Sequence, residues 1–263
     1  MAALLKKLNL FRRKKQPPLV CAVSLDDSGS PIADDPHHVH TSSCFIAFEP
    51  LAVVEFFQSQ GCQSCPPAIP DIQDATNHPN LLLLTYNVTI FDHLGWKDTH
   101  ASSSWDQRQR AYAKKWGRNS LFTPQIVVNG VSDGSGAGGK SDVQDIIGRA
   151  RSMQQTMDWH IYLDANDTEV RIDSDRYEIE PHDVFVVVYA GKDENVKVGG
   201  GPNKRKKMNH RNVVMNVMKI GEWAGGNLVL ELPSPKSSMN PAQEAAVFVQ
   251  QGPGGAIVAV AKL

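Results

Sequence analysis

The hydrophobic pattern of the chain changes character near residue 157. Before it, two continuous apolar runs, "LAVVEFF" (51–57) and "LLLLTYNV" (81–88), predict strands that are buried on both faces. Between them, residues 65–77 carry apolar side chains at helical spacing. The order strand, helix, strand predicts a βαβ unit with parallel strands.

Two more helices and a strand are predicted in this half. The first helix has Ser103 as its cap, and a capping box of Ser141 and Gln144 begins the second. "TPQIVVNG" predicts a strand that is entered through Thr123-Pro124, and "VSDGSGAGGK" predicts a glycine-rich turn. The turn lacks the spacing of a phosphate-binding loop. These elements predict an α/β domain with a mixed sheet and flanking helices.

After residue 157, short segments alternate between apolar and polar side chains and are separated by turn residues. This pattern is typical of antiparallel strands. A basic stretch, "GGGPNKRKKMNHR" (199–211), predicts a solvated loop, and "NVVMNVMKI" (212–220) predicts a short helix. The second half is therefore predicted to be an antiparallel β-sandwich-like domain.

The predicted domains are a basic leader with a disordered linker (1–47), an α/β domain (48–156) and a β-rich domain (157–263). The leader is interpreted as a solvated segment or as a basic amphipathic helix that targets a mitochondrion or anionic lipid. A net charge of −1 gives no global attraction to nucleic acid or membrane. No apolar run is long enough to span a bilayer.

Without a secretory signal, the expected location is intracellular, with the cytosol favoured. The final residues Ala261-Lys262-Leu263 differ by one small residue from a peroxisomal signal. The alternative is a final strand whose end is paired and not free for a receptor.

The chemistry of the chain centres on Cys62 and Cys65, which are two residues apart at the end of a buried strand. A Cys-x-x-Cys pair allows a redox dithiol, half of a metal site or a turn. At a helix N-terminus, free N–H groups and the helix dipole favour the thiolate of the first cysteine. Pro66 and Pro67 suit the first turn of such a helix. The sequence therefore favours a redox pair with Cys62 as nucleophile and Cys65 as resolving cysteine.

A second feature lies far downstream. In thioredoxin-like folds a cis-proline lies beside the Cys-x-x-Cys, and Thr123-Pro124 has this place in the chain order. We therefore predict a cis bond there, with Thr123 and Pro124 binding substrate beside the cysteines. Glu55, in the strand that leads to the pair, is a candidate proton relay; because its spacing to Cys62 is one residue longer than in thioredoxins, the alternative is a partly exposed or hydrogen-bonded strand acid.

A zinc site would need two further ligands. Cys44, His78 and His93 are the candidates, but no second Cys-x-x-Cys is present. Cys21 and Cys44 are interpreted as spare cysteines, with a disulfide to Cys62 as the alternative. We therefore expect no metal and no cofactor.

With these motifs, the sequence resembles a thioredoxin-like family catalogued as domain of unknown function 1223. The resemblance rests on "SQGCQSCPP", "LGWKD", "RQRAYA", "TPQIVVNG" and "NHRNVV" and extends over roughly residues 50–263. It implies a thioredoxin-like domain followed by a β domain, without a settled reaction. By the same resemblance, Asp92 and Trp96 are expected to line the groove near the cysteines. The stretch "NVTIFDH" departs from the family pattern, because it keeps Asp92 but lacks the earlier His and the Tyr-Trp pair.

The sequence thus predicts a thiol–disulfide oxidoreductase that acts on a protein or small-molecule thiol or disulfide. The alternatives are a protein with a structural zinc and a non-catalytic binding module of the same fold. In the binding module, the basic cluster Lys204–Arg211 would contact an acidic partner.

Overall fold

The two long apolar runs form adjacent parallel strands of a mixed sheet. They are confirmed in the computed structural model, which describes residues 50–155 and 159–263. The sheet has the order β2-β1-β3-β4, with β1 parallel to β2 and antiparallel to β3, and β4 antiparallel to β3. Its strands are β1 (Ala52–Gln58), β2 (Leu81–Asn87), β3 (Gln125–Val128) and β4 (Ser132–Ser135). Every residue of β1 and β2 is buried, which explains their continuous apolar sequence.

Three helices cover the two faces of this sheet. They are α1 (Cys65–Ala75), α2 (Ser103–Lys115) and α3 (Lys140–Gln154). α1 and α3 bury Ile72 and Ile146 against one face, and α2 contributes Trp105 to the cluster on the other face.

The caps of α2 and α3 differ from the predicted ones. The cap of α2 is Ser102, whose side chain accepts a hydrogen bond from the Ser104 N–H at 3.3 Å. α3 follows Gly139 without a side-chain cap, so the predicted capping box is wrong. α2 therefore begins one residue earlier than the polar pattern indicates, and α3 begins two residues earlier.

The second half of the chain forms antiparallel sheets. A four-stranded sheet has the order β10-β7-β12-β13, a three-stranded sheet has the order β11-β6-β5, and β8 pairs with β9 in a hairpin. The strands are β5 (Ile161–Ala165), β6 (Glu169–Ser174), β7 (Tyr177–Ala190), β8 (Glu194–Lys197), β9 (Lys207–His210), β10 (Val214–Gly225), β11 (Leu228–Glu231), β12 (Gln243–Gln250) and β13 (Ile257–Lys262).

Two local predictions are wrong in this architecture. Residues 214–225 form β10 and pair with β7, although 212–220 was predicted to be helical. A short apolar run with valines fits either structure, and pairing with a long strand decides it. Likewise, residues 132–135 of the predicted glycine-rich turn pair with β3 as β4.

The four-stranded sheet packs against other elements on both of its faces. Tyr189 and Phe248 pack in the cluster that α2 shares with the first sheet. Val184 and Val249 pack in a cluster with Ile172 of the three-stranded sheet. Residues 50–263 form one compact unit by their contacts. The predicted boundary at 156–157 and the leader 1–47 lie outside the described residues, and the division into domains remains a prediction.

The last strand, β13, includes two of the three final residues. Lys262 pairs with Ala246 of β12, and the Leu263 N–H donates to the Ala245 carbonyl at 3.0 Å. The terminal tripeptide is therefore held in a sheet. Within the described part of the chain, no helix is long and apolar enough to cross a membrane.

Candidate active site

Cys62 and Cys65 lie between the end of β1 and the first turn of α1. The Cys62 N–H donates to the Ser59 carbonyl at 3.1 Å and closes a tight turn. Gly61 is required in this turn, because a Cβ there would lie 2.8 Å from the Phe91 Cβ. Cys65 is the first residue of α1, as predicted.

The two sulfur atoms have different surroundings. Cys62 is 5% exposed and Cys65 is fully buried, and both are free thiols. A hydrogen bond from the Cys65 thiol, together with the backbone N–H groups of Ser64 and Cys65, lowers the pKa of Cys62 to about 6, although burial opposes the shift. Burial and the neighbouring Cys62 raise the pKa of Cys65 well above its usual value. At neutral pH, Cys62 is therefore the thiolate and Cys65 the thiol.

Thr123 brings a third group to the cysteines. The Thr123-Pro124 peptide bond is cis, as predicted, and β3 begins at the next residue. When protonated, the Cys62 thiol donates to the Thr123 carbonyl across 3.4 Å. The Thr123 side chain makes a smaller contribution that lowers the pKa of both thiols. Two segments about 60 residues apart in sequence thus meet at one sulfur atom.

Gln60 joins the cysteine loop to the segment that follows β2. Its backbone N–H donates to the Asp98 carboxylate at 2.7 Å. Its side-chain oxygen accepts the Trp96 indole N–H at 2.8 Å, and its amide nitrogen donates to the Thr99 hydroxyl at 2.9 Å. Because Gln60 is fully buried, these bonds fix the chain on its approach to Cys62.

Asp92 and Trp96, the predicted groove residues, both belong to this network. The Asp92 carboxylate accepts the Asp98 N–H at 3.1 Å. The Trp96 ring is partly buried and packs on Gly199, where a Cβ would lie 2.4 Å from the ring. Burial raises the pKa of Asp98, although the hydrogen bond from the Gln60 N–H opposes the shift. Trp96 therefore bonds directly to Gln60 of the cysteine loop, and Asp92 is linked to Gln60 by way of Asp98.

The β8–β9 hairpin packs on the cysteine loop. Asn203, between its strands, is fully buried and donates to the carbonyls of Gln60 and Cys62 at 2.9 and 2.6 Å. The Lys206 ammonium donates in turn to the Asn203 side-chain oxygen at 2.9 Å. Met208 of β9 belongs to the same apolar cluster as both cysteines. The basic stretch predicted as a solvated loop is therefore partly a support for the site.

His210, at the end of β9, is fully buried against two amide groups. Gln58 Nε2 lies 2.8 Å from its Nδ1, and Gln60 Nε2 lies 3.3 Å from its Nε2. Burial, with a smaller contribution from His100, lowers the pKa of His210 to about 3. A doubly protonated ring would point both of its N–H groups at amide nitrogens, whereas the neutral ring points only one, so the arrangement favours the neutral ring.

Glu55, the predicted proton relay, points away from the cysteines. Its neighbours Val54 and Phe56 point into the cluster that contains Cys62 and Cys65, and successive side chains of a strand alternate between faces. The fully buried Glu55 carboxylate instead pairs with Arg108 and accepts the Tyr112 hydroxyl. The structure therefore does not bring Glu55 to the reactive pair.

Residues 53–250 match the family described as protein of unknown function, DUF1223. This chain belongs to the DUF1223 family. A protein of Agrobacterium tumefaciens, known from an X-ray crystal structure, is 30% identical; the match covers 82% of this chain and 96% of that chain with a TM-score of 0.64. HBP35 of Porphyromonas gingivalis is 13% identical over 82% of this chain and 76% of that chain, and its TM-score of 0.53 shows a likeness of fold alone. A comparison with curated proteins finds no match.

The sequence motifs of this DUF1223 chain contribute buried polar side chains to both faces of the first sheet. "SQGC" contains Gln60, "LGWKD" contains Trp96, and "NHRNVV" contains His210; all three contact one another or the cysteine loop. "RQRAYA" contains Arg108 and Tyr112, one helical turn apart, and both bind Glu55 on the opposite face. The motifs therefore specify the surroundings of β1.

The predicted zinc ligands do not assemble in the described part of this DUF1223 chain. His78 and His93 are exposed, and among residues 50–155 and 159–263 no three His, Cys, Asp or Glu side chains are grouped to hold a metal ion. Cys21 and Cys44 lie outside the described residues.

Sequence reasoning missed Asn203 and His210 as site residues and gave Gln60 no role. Gln60 had a usable signal, since a glutamine next to a Cys-x-x-Cys within a buried run requires partners for its amide. Asn203 and His210 lie about 140 residues or more after Cys62 and Gln60, in a stretch without apolar periodicity. Only the packing of the hairpin identifies them.

Proposed function

We propose that this protein is a thiol–disulfide oxidoreductase with Cys62 as nucleophile and Cys65 as resolving cysteine. The observation that carries the proposal is the difference between the two sulfurs. Cys62 is the slightly accessible one with the lowered pKa, and Cys65 is fully buried with a raised pKa. A slightly accessible thiolate and a protected thiol beside it are the two forms that successive disulfide exchange requires.

We further propose that the first half of the described chain is thioredoxin-like. Three features support this assignment. The parallel strands β1 and β2 are joined through α1, α1 begins at the Cys-x-x-Cys, and a cis Thr123-Pro124 bond precedes β3. The 3.4 Å contact between Cys62 Sγ and the Thr123 carbonyl agrees with a proline beside the reactive pair.

The proposed reaction has two exchange steps. The Cys62 thiolate attacks one sulfur of a substrate disulfide, a Cys62–substrate disulfide forms, and the other substrate sulfur leaves as a thiolate that takes a proton from water. Cys65 then gives its proton to water and attacks Cys62 Sγ; the second substrate sulfur leaves as a thiolate that takes up a proton, and a Cys62–Cys65 disulfide remains. Two electrons pass from the protein to the substrate, and a thiol reductant restores the dithiol.

Neighbouring residues are assigned roles in binding and positioning. Thr123 and Pro124 border the accessible sulfur, and we assign them to binding the substrate next to Cys62. Asp92 and Trp96 act through Gln60, because their hydrogen bonds end on that residue or on its partner Asp98. We assign Glu55 no role in the reaction, since its carboxylate is bound to Arg108 on the opposite face.

The test uses two variants, each lacking one cysteine of the pair, as controls for each other. Reduced Cys65→Ser is expected to accumulate a mixed disulfide at Cys62 when mixed with hydroxyethyl disulfide, and mass spectrometry detects the adduct. Cys62→Ser is expected to form none at Cys65, because that thiol is buried and has a raised pKa; peptide mapping separates any adduct at Cys21 or Cys44. If Cys62→Ser reduces the disulfide as fast as the unmodified protein, the proposal fails.

A second measurement tests the thiolate directly. The rate of alkylation of Cys62 by iodoacetamide is expected to be half-maximal near pH 6, since only the thiolate reacts. A midpoint at the usual cysteine pKa of about 8.5 would contradict the proposed activation of Cys62.

A further inference from the structure

The β8–β9 hairpin carries charge of one sign at its turn end. Lys197 and Lys207 lie directly opposite each other in the ladder, and three exposed cations occupy the connecting segment. They are Lys204, Arg205 and Lys206. Within the described part of the chain, none of these five side chains has a carboxylate partner.

The other end of the same hairpin is neutralised. Arg211 binds Asp193 at 3.1 Å, and Glu194 lies 3.5 Å from His100. Like charges directly opposite each other destabilise a ladder, so the pairing of Lys197 with Lys207 lowers the stability of the hairpin. The sequence thus concentrates uncompensated positive charge at one end only.

That end is attached to the cysteine loop. Asn203 donates to the Cys62 carbonyl at 2.6 Å, and the Lys206 ammonium lies 2.9 Å from the Asn203 side-chain oxygen. Arg205 is held in the left-handed region at φ 72°, where its N–H donates to the Val198 carbonyl at 2.8 Å. These bonds fix the backbone of the cationic segment beside Cys62. The nearest acids of the loop network, Asp92 and Asp98, are already bound to backbone N–H groups.

We infer that the turn end of the β8–β9 hairpin is an anion-binding rim of the cysteine site. The rim consists of Lys197 and residues 204–207. The inference rests on the proposed function and names its substrate class: disulfides that carry carboxylate groups close to their sulfur atoms. Such groups would be attracted to the rim while Cys62 attacks the neighbouring sulfur, and a carboxylate between Lys197 and Lys207 would relieve their repulsion.

The experiment compares three aliphatic disulfides that differ in charge: dithiodipropionate, hydroxyethyl disulfide and cystamine. Second-order rate constants for oxidation of the reduced protein are measured at low salt. The rim variant is Lys204→Gln/Arg205→Gln/Lys207→Gln. The control, Arg110→Gln/Lys114→Gln/Lys115→Gln, removes three exposed cations from α2, on the other face of the sheet.

The ratio of the dithiodipropionate rate to the cystamine rate is expected to fall about tenfold in the rim variant. In the control variant it is expected to change less than about twofold, although the net charge changes equally. Added salt should lower the ratio in the unmodified protein and have little effect in the rim variant. Equal ratios in the rim and control variants would overturn the inference.

Two further measurements distinguish a failure of the rim inference from a failure of the proposed function. Lys207→Glu places a carboxylate opposite Lys197, which favours the folded hairpin, and it is expected to lower the same ratio about threefold. If no disulfide reacts with Cys62, the proposed function fails. The ratio of alkylation by iodoacetate and iodoacetamide then reports the rim alone, and an unchanged ratio in the rim variant overturns the inference independently of redox chemistry.

Discussion

The two faces of the β2-β1-β3-β4 sheet bury polar groups in different ways. On the face that α2 covers, Glu55 and Arg108 pair with each other, and Tyr112 and Gln250 bind them, so that the charges are matched within the network. On the cysteine face, Asp98 and Asn203 bind the backbone of the loop, and the ionisable Cys62 remains slightly accessible. The buried charges of the α2 face are paired with each other, whereas the Cys62 sulfur has no cationic partner among its neighbours in the described part of the chain. Access to an unpaired ionised group distinguishes the chemical face from the structural one.

Removing Arg108 should break the structural face. In Arg108→Met, the Glu55 carboxylate remains buried without its cation, so the free energy of unfolding is expected to fall by about 3–5 kcal/mol. Urea unfolding measures the loss. The pH midpoint of Cys62 alkylation should stay near 6, because Glu55 and its partners lie on the other side of β1.

Arg110→Met is the matched control, since Arg110 is exposed on the same helix. We expect it to change the free energy of unfolding by less than about 0.5 kcal/mol. Two outcomes would contradict the comparison: a loss in Arg108→Met no larger than in the control, or a clear shift of the alkylation midpoint. The second would mean that the two faces are coupled through β1.

Asn203→Ala should have an intermediate effect on the cysteine face. The change removes hydrogen bonds to the carbonyls of Gln60 and Cys62, and the two buried acceptors lose a partner. We expect the free energy of unfolding to fall by about 1–3 kcal/mol and alkylation of Cys62 to become faster as the hairpin loosens. Asn195→Ala, at an exposed position of β8, is the control. Equal stability and equal alkylation rates in the two variants would show that Asn203 does not hold the hairpin on the loop.

The strands and motifs of the cysteine face could be predicted from the sequence, whereas the role of Asn203 could not. β1, α1 and β2 were predicted correctly because each follows from a local pattern: two continuous apolar runs and one helical spacing. The Cys-x-x-Cys and the cis Thr123-Pro124 followed from their places in that order. The buried role of Asn203 could not be predicted, because its partners lie 143 and 141 residues away and its own stretch is basic and irregular.

Residues 212–220 show the converse limit of a local pattern. Their apolar spacing fits a helix, but β7 offers an unpaired edge, and the segment forms β10 along it. Glu55 was assigned to the correct strand but to the wrong face, because chain order places a residue on a strand and only the register decides where it points. In both cases, contacts between segments that are distant in sequence determine the structure, and a local pattern does not contain them.

The smallest predicted effect concerns His210. The α2 face buries the paired charges of Glu55 and Arg108, whereas the cysteine face buries His210 as a neutral ring. Its pKa is lowered from 6.5 to about 3, so the neutral ring favours the folded state, and this stability is lost as the pH falls from about 6.5 towards 3. Between pH 6.5 and pH 5 the loss from this one group is expected to be about 1.5 kcal/mol.

His210→Gln should lack this part of the pH dependence, whereas His93→Gln, at an exposed position, should keep it. Urea unfolding at the two pH values measures the difference, and the window lies above the range in which carboxylates with ordinary pKa values titrate. If His210→Gln loses as much stability on acidification as the unmodified protein, the cysteine face accepts a buried imidazolium, and its polar groups are less rigidly arranged than the two amides around His210 indicate.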